Sequence, residues 1–251
     1  MARRRDGRRV TVGAPWYRKA FGPLYTDLYA HRDRAEAERV AELLSARVPL
    51  RGARVLDAAC GAGRHLGALR RRGADASGFD LSDELLRGAS KIAPVARADM
   101  RAFPFRDGVF HGVLNMFTSF GYFPGEENGR VLDETARVLG PGGWFLLDYL
   151  NPAGTVERLV PESERTLDDF RIRETRRYDP ERRVLSKEIE VLSGGGAVRD
   201  RWREEVRLFS VEELERMLLG RGLKIRERFG DYEGGGFHRD SPRLILLSTA
   251  E

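Results

Sequence analysis

Apolar positions along the chain follow two rhythms. Largely apolar runs of strand length occur at "ARVLDAA" (53–59), "VFHGVLNMF" (109–117) and "WFLLDYL" (144–150), and the mixed segments "DASGFD" (75–80) and "PVARAD" (94–99) supply a second and a third strand. Runs of this kind read as strands buried on both faces. Segments with helical spacing lie before and between them, at 33–48, 63–73, 82–92 and 125–139. Asp33 with Glu36, and Ser82, are N-cap signals, while Gly73 and "GPGG" (140–143) are stops. Strands alternating with helices predict an α/β chain with a doubly wound, Rossmann-like parallel sheet.

The rhythm changes over 165–208. Three polar/apolar alternating stretches, punctuated by "DP" and "GGG", predict a small three-stranded antiparallel insertion. A Ser210/Glu213 capping box then opens a helix over 210–222, and 223–229 and 243–249 supply two last strands. A glycine-rich loop, 230–242, joins them. The expected layout is a basic flexible tail (1–14), a ligand-binding core with N-terminal lid helices (15–160), the β insertion (161–209) as substrate cover or dimer surface, and completion of the core sheet (210–251). In 15–30, "PWYRKAFGPLYTDLYA" fits either a capping helix packed on the core or an aromatic lid.

Composition narrows the classes. The 251 residues are 41% hydrophobic, and no run approaches the roughly 18–20 apolar residues of a membrane helix. No apolar segment follows the basic N-terminus, and a single cysteine excludes an internal disulfide, so a cytoplasmic protein is expected. The net charge is +5, but the first ten residues hold five Arg and one Asp, which leaves the rest nearly neutral. The tail is then a solvated end or a tether to RNA or a membrane surface. Of the 44 basic residues 40 are Arg, and Gln is absent. This fits a heat-adapted source or a GC-rich genome, and a melting temperature below about 60 °C would count against the first.

The chemistry concentrates in "VLDAACGAGRH" (55–65), where a buried strand ends at a carboxylate, Asp57, followed by Gly61 and Gly63. Ligands of doubly wound sheets sit at such strand ends, where small residues let backbone approach and the next helix offers free N–H groups. The dinucleotide fingerprint G-x-G-x-x-G fails, because position 66 is Leu, and Asp57 would repel a pyrophosphate. A cationic or amine-bearing ligand suits the carboxylate better.

At these residues the chain resembles the class I S-adenosylmethionine (SAM)-dependent methyltransferases. "DAACGAG" looks like that family's D/E-x-x-C/G-G-x-G signature. Asp80, "ADM" (98–100), "NMFTSFGYF" (115–123) and "RVLGPGGWFLLDYLNP" (137–152) follow in the family's order. The resemblance implies a seven-stranded sheet with its last strand antiparallel. It also implies SAM as cofactor, with Asp57, Ala58, Cys60, Gly61 and Gly63 lining its methionine part. Asp80 would accept from both ribose hydroxyls, Leu81 would pack on the adenine, and Asp99 and the Met100 N–H would face the adenine edge. Asn115 and Met116 would lie beside the methionyl group. Ala59 stands where relatives have Gly, and His111 where an Asp is usual.

Methyl transfer from a sulfonium is an in-line displacement that needs alignment and dryness, and a base only for a protonated nucleophile. Tyr122 is the candidate for orienting the acceptor or relaying a proton. Tyr17, Tyr25, Phe120, Tyr149, Asn151 and His238 are candidate acceptor-binding residues. No metal-ligand cluster is visible. The pattern is similar to small-molecule N- and O-methyltransferases with a β insertion over the site. "NMFT" lacks the prolines of nucleic-acid amino methyltransferases, so a small metabolite is the expected acceptor of a monomer or homodimer. An RNA methyltransferase using the tail, and a non-catalytic SAM-binding protein, are the alternatives.

Overall fold

The computed structural model describes residues 16–22, 28–29 and 34–251. The basic tail, Tyr25 and the expected cap Asp33 lie outside the described residues.

The five strand segments form β1 (Arg54–Ala58), β2 (Asp75–Asp80), β3 (Val95–Arg97), β4 (Phe110–Asn115) and β5 (Leu139–Leu150). With β10 (Leu223–Phe229) and β11 (Arg243–Ala250) they make one sheet in the order β10-β11-β5-β4-β1-β2-β3. The first five are mutually parallel, and β11 is antiparallel to both β5 and β10. Strand order reverses beside β1, between the crossovers to β2 and to β4. The carboxyl end of β1 is therefore the expected ligand crevice.

Alternate strand residues feed two cores. Leu56, Ala58, Phe79 and Val113 face one side, covered by α5 (Glu127–Val138) and α7 (Val211–Leu219). Val55, Ala76, Leu114 and Leu146 face the other, covered by α2 (Arg34–Ser45), α3 (Arg64–Arg71) and α4 (Asp83–Ala89). Ser82 caps α4 through the Leu85 N–H, and Ser210 and Glu213 form the reciprocal box on α7. A short N-terminal helix, α1 (Tyr17–Ala20), lies over the carboxyl edge.

The insertion differs from expectation. It is four-stranded, not three-stranded: β6 (Glu162–Leu167), β7 (Phe170–Asp179), β8 (Val184–Ser193) and β9 (Val198–Arg207), each antiparallel to the next. Leu167 pairs with Phe170, so Asp168 and Asp169 make a two-residue turn, with Asp168 at φ +50°. Asp tolerates that conformation well. β5 also starts earlier than expected, because "GPGG" is an irregular start to the strand, with a register shift between Phe110 and Gly112. A helix absent from the sequence reading, α6 (Pro152–Glu157), follows β5.

Candidate active site at the carboxyl edge

β1 delivers Asp57 to the carboxyl edge, and the chain turns sharply after Ala58. Ala59 takes φ +63° and Gly63 φ +85°. Ala59 thus occupies a left-handed conformation that costs a residue with a Cβ about 1–2 kcal/mol. At Gly63 the restriction is steric as well, since a Cβ would meet the Ala89 backbone of α4 at 3.0 Å. A Gly63→Ala variant is expected to lose about 2 kcal/mol or more from these two effects. Urea unfolding checks this, and a loss under about 0.5 kcal/mol would show that the turn relaxes freely.

The turn is tied to β2 by a carboxylate. Asp80 accepts from the Gly61 N–H through Oδ2 and from the Ser82 N–H through Oδ1, both at 2.9 Å. Burial pushes its carboxyl above the ordinary value, while the N–H groups of Ser82, Gly61 and Leu81 pull it down. An ionised carboxylate has about four acceptor positions, so these two bonds leave capacity on both oxygens.

Asp80 and Leu81 line a cavity with Tyr17, Gly61, Asp99, Met100 and Tyr122. It encloses about 580 Å³ of space between atoms, part of it open to solvent. Phe21, Ala59, Phe79, Leu85, Ala98, Ser119 and Phe123 complete it, none of them assigned from the sequence to the cofactor or the acceptor. Aromatic contacts build its outer wall: Tyr122 packs edge-on to Trp16 and stacked on Phe21, and Tyr17 packs edge-on to Phe123. The N-terminal aromatics therefore pack on the core and roof the cavity at once.

Asp99 carries a partner invisible from the motif. Arg101, two residues on, donates Nε and Nη2 to it at 2.9 and 2.7 Å, and its backbone N–H bonds the same carboxylate. The guanidinium also pairs with Glu127 and lies 4.5 Å over the Phe123 ring. Arg101 thus joins the third strand's end to α5 and to the aromatic wall.

Other candidates sit around the cavity, outside its lining. Asp57 is fully buried beneath the turn, and neither carboxylate oxygen has a hydrogen-bond partner among the described residues. Burial pushes its carboxyl up to about 7, with Arg64 pulling it down and Asp80 pushing it up. His65 Nδ1 is 4.0 Å away, and burial holds that imidazole neutral by lowering its pKa well below the ordinary value. Cys60 and Met116 pack in the same core layer. Burial raises the Cys60 thiol far above the thiolate range, so it is inert as a nucleophile. Asn115 lies across the sheet, its Nδ2 donating to the Ala58 carbonyl at 3.2 Å and its Oδ1 buried without a partner among the described residues.

Of the acceptor candidates among the described residues, Tyr17 alone lines the cavity. Phe120 is core, between Tyr149 and Phe209. The Tyr149 hydroxyl donates to the Arg207 carbonyl and accepts from the Phe209 N–H. Asn151 caps α6 through the Gly154 N–H and donates to the carbonyls of Arg239 and Ser241, which uses its hydrogen-bonding capacity on backbone. His238 is exposed in a turn closed by Ser241. Among the described residues no group of His, Cys, Asp and Glu can hold a metal, and no helix is long and apolar enough to cross a membrane.

Comparison with known proteins agrees with this geometry. Residues 55–143, from β1 to the start of β5, match a family described as a methyltransferase domain. A dTDP-3-amino-3,4,6-trideoxy-alpha-D-glucopyranose N,N-dimethyltransferase of Streptomyces venezuelae is 40% identical over 119 residues, 45% of this chain and 49% of that one. The chain thus aligns with about half the length of that relative. The putative methyltransferase YqeM of Bacillus subtilis is 28% identical over 243 residues, 91% of this chain and 95% of its own. The CcbJ methyltransferase of Streptomyces caelestis superposes with a TM-score of 0.78 at 23% identity, over 92% of this chain and 98% of that one.

Proposed function

We propose that this chain is a class I SAM-dependent methyltransferase that transfers the methyl group of SAM to a nitrogen or oxygen of a small metabolite. The carrying observation is the Asp80 carboxylate, anchored by two backbone N–H groups in a largely apolar cavity, with acceptor capacity left on both oxygens. The residues fit the group. Leu81, Phe79, Ala98 and Met100 supply an apolar slot for a purine. Asp80 suits a ribose diol, and Asp57 is a buried carboxylate lacking the donors that an ammonium would bring.

SAM supplies an activated methyl on a sulfonium. With SAM held by Asp80, Leu81 and Asp57, its methyl carbon would pass from sulfur to the acceptor's nucleophile, leaving S-adenosylhomocysteine, and a protonated nucleophile would lose its proton to water or a base. The chain's part is to align the two reactants and exclude water. The aromatic wall of Tyr17, Tyr122 and Phe123 suits both tasks, and Tyr122 is the residue assigned to orient the acceptor. Relatives named as sugar N,N-dimethyltransferases support an amine-bearing small acceptor.

Calorimetric titration with SAM, S-adenosylhomocysteine and NAD tests the reading. Micromolar binding of either sulfur ligand, with none of NAD, is the expected result. No binding of SAM or S-adenosylhomocysteine would sink it, and NAD binding instead would mean that Asp57 tolerates a pyrophosphate.

The buried Asp57 adds a pH signature. Below about 7 its carboxyl is protonated in the ligand-free protein, so an incoming ammonium meets a neutral group. SAM affinity is expected to fall by up to about tenfold per pH unit below that point, and Asp57→Asn to flatten the profile. Stability runs the other way. A carboxyl raised from 3.8 to about 7 by burial contributes stability that is present at low pH and lost as pH rises through about 7. Asp57→Asn should therefore raise the ligand-free melting temperature at pH 8 while weakening SAM binding. A variant that binds as tightly as wild type across pH 5.5–7.5 would remove Asp57 from the donor site.

A further inference from the structure

A second cavity opens on the other side of Tyr17, Tyr122 and Phe123, residues that line both spaces. Its far wall comes from the β insertion and includes Val184 of β8 and Glu205 and Arg207 of β9. The seam between insertion and core is fixed at Arg207. Its N–H donates to the Gly121 carbonyl at 2.9 Å, and its carbonyl accepts from the Tyr149 hydroxyl. Gly121, at φ +100°, permits the contact, since a Cβ there would meet the Arg207 carbonyl oxygen at 3.0 Å. Arg207 is thus held on the same loop that carries Tyr122.

Most charges around this cavity are already matched. Arg101 pairs with Asp99 and Glu127, Arg183 forks onto Glu213, and Glu205 pairs with Arg203 at 2.9 Å. Glu181 and Arg182 are exposed. Arg207 differs. It is half-buried beside the Phe209 ring at 5.3 Å, and its Nε is fully buried with no hydrogen-bond partner among the described residues. Its charge also acts on the Glu213 carboxylate that Arg183 holds, but a buried guanidinium N–H without an acceptor is costly, and a guanidinium's planar fork matches an oxyanion.

We propose that this second cavity is the acceptor site and that Arg207 binds an oxyanion, phosphate or carboxylate, carried by the methyl acceptor. The reacting nitrogen or oxygen then passes Tyr122 toward the donor cavity. The acceptor role rests on the methyl-transfer reading above; the oxyanion site rests on Arg207 alone.

The test uses the full chain, with and without S-adenosylhomocysteine, titrated calorimetrically with pyrophosphate and with succinate. Saturable binding of at least one probe is expected, weakened at least about tenfold in Arg207→Met, with S-adenosylhomocysteine affinity unchanged and the ligand-free melting temperature no lower than that of the wild type. Arg207→Lys, which keeps the charge and loses the fork, should fall between. The probe that binds identifies the phosphate or carboxylate source. Should Arg207→Met misfold, the wild type answers alone: phenylglyoxal modification mapped by mass spectrometry should show Arg207 protected by the bound probe. Failure of both probes to bind, undiminished binding in Arg207→Met, or unprotected Arg207 overturns the proposal. Probe binding that depends on Arg207 in a protein that ignores S-adenosylhomocysteine would instead overturn the donor reading and leave the oxyanion site.

Discussion

An Asp80→Ala variant is expected to bind SAM at least about 100-fold more weakly than the wild type. Two hydrogen bonds from ribose hydroxyls to a charged acceptor contribute about 1.5–3 kcal/mol each, and a hundredfold corresponds to about 2.7 kcal/mol. The structure adds a second loss. The carboxylate is also the acceptor for the Gly61 and Ser82 N–H groups, so truncation frees the turn after β1 and the cap of α4 together. Asp80→Asn should be nearly as damaging, because its amide turns an NH2 toward one of those two donors. Calorimetry on both variants decides the matter: a dissociation constant within threefold of wild type for Asp80→Ala would take Asp80 out of the ligand site.

The parts of this arrangement that are legible in the sequence are the ones with local causes. Strand-length segments ending at Asp57 and Asp80 mark strands buried on both faces, and Ser82, Ser210 and Glu213 mark helix starts by side-chain-to-backbone chemistry within three residues. What escapes is long-range or polar. β6 reads "ESERTL" and leaves most of its residues exposed, so no apolar rhythm announces it. α6 does have a local signal, Asn at the cap followed by Pro, and the same capping bonds remove Asn151 from the acceptor candidates. Tyr149 looked available just past a strand end, yet its hydroxyl is taken by backbone 58 residues away in the chain. Arg101 was hidden for a different reason: the motif drew attention to Asp99 as a ligand-facing carboxylate, and the neighbour that occupies it lies outside the motif.

The deepest long-range feature supports the second large effect. Asp148 on β5 is fully buried, with Oδ1 accepting from Arg243 Nε at 2.8 Å. Its Oδ2 accepts from the Tyr232 hydroxyl at 2.6 Å and from the Phe117 N–H at 2.8 Å. Arg243 also donates to Thr118 Oγ1 at 2.9 Å and lies 4.9 Å over the Phe117 ring. Phe117 and Thr118 have φ of +57° and +59°, two successive left-handed residues without glycine, which costs on the order of 1–2 kcal/mol each. The network holds that kink, and the kink turns the chain from β4 into the Ser119–Phe123 wall between the two cavities. Arg243→Met is expected to cost about 3–5 kcal/mol, since it leaves a buried carboxylate without its cation, and to lower the melting temperature by on the order of 10 °C. Asp148→Asn in the Arg243→Met background should recover part of the loss by removing the charge while keeping an acceptor for the Phe117 N–H. Urea unfolding of the single and double variants measures this. A single-variant loss below about 1 kcal/mol, or a double variant no more stable than the single, would mean that packing alone, without the ion pair, fixes the loop on which the wall is built.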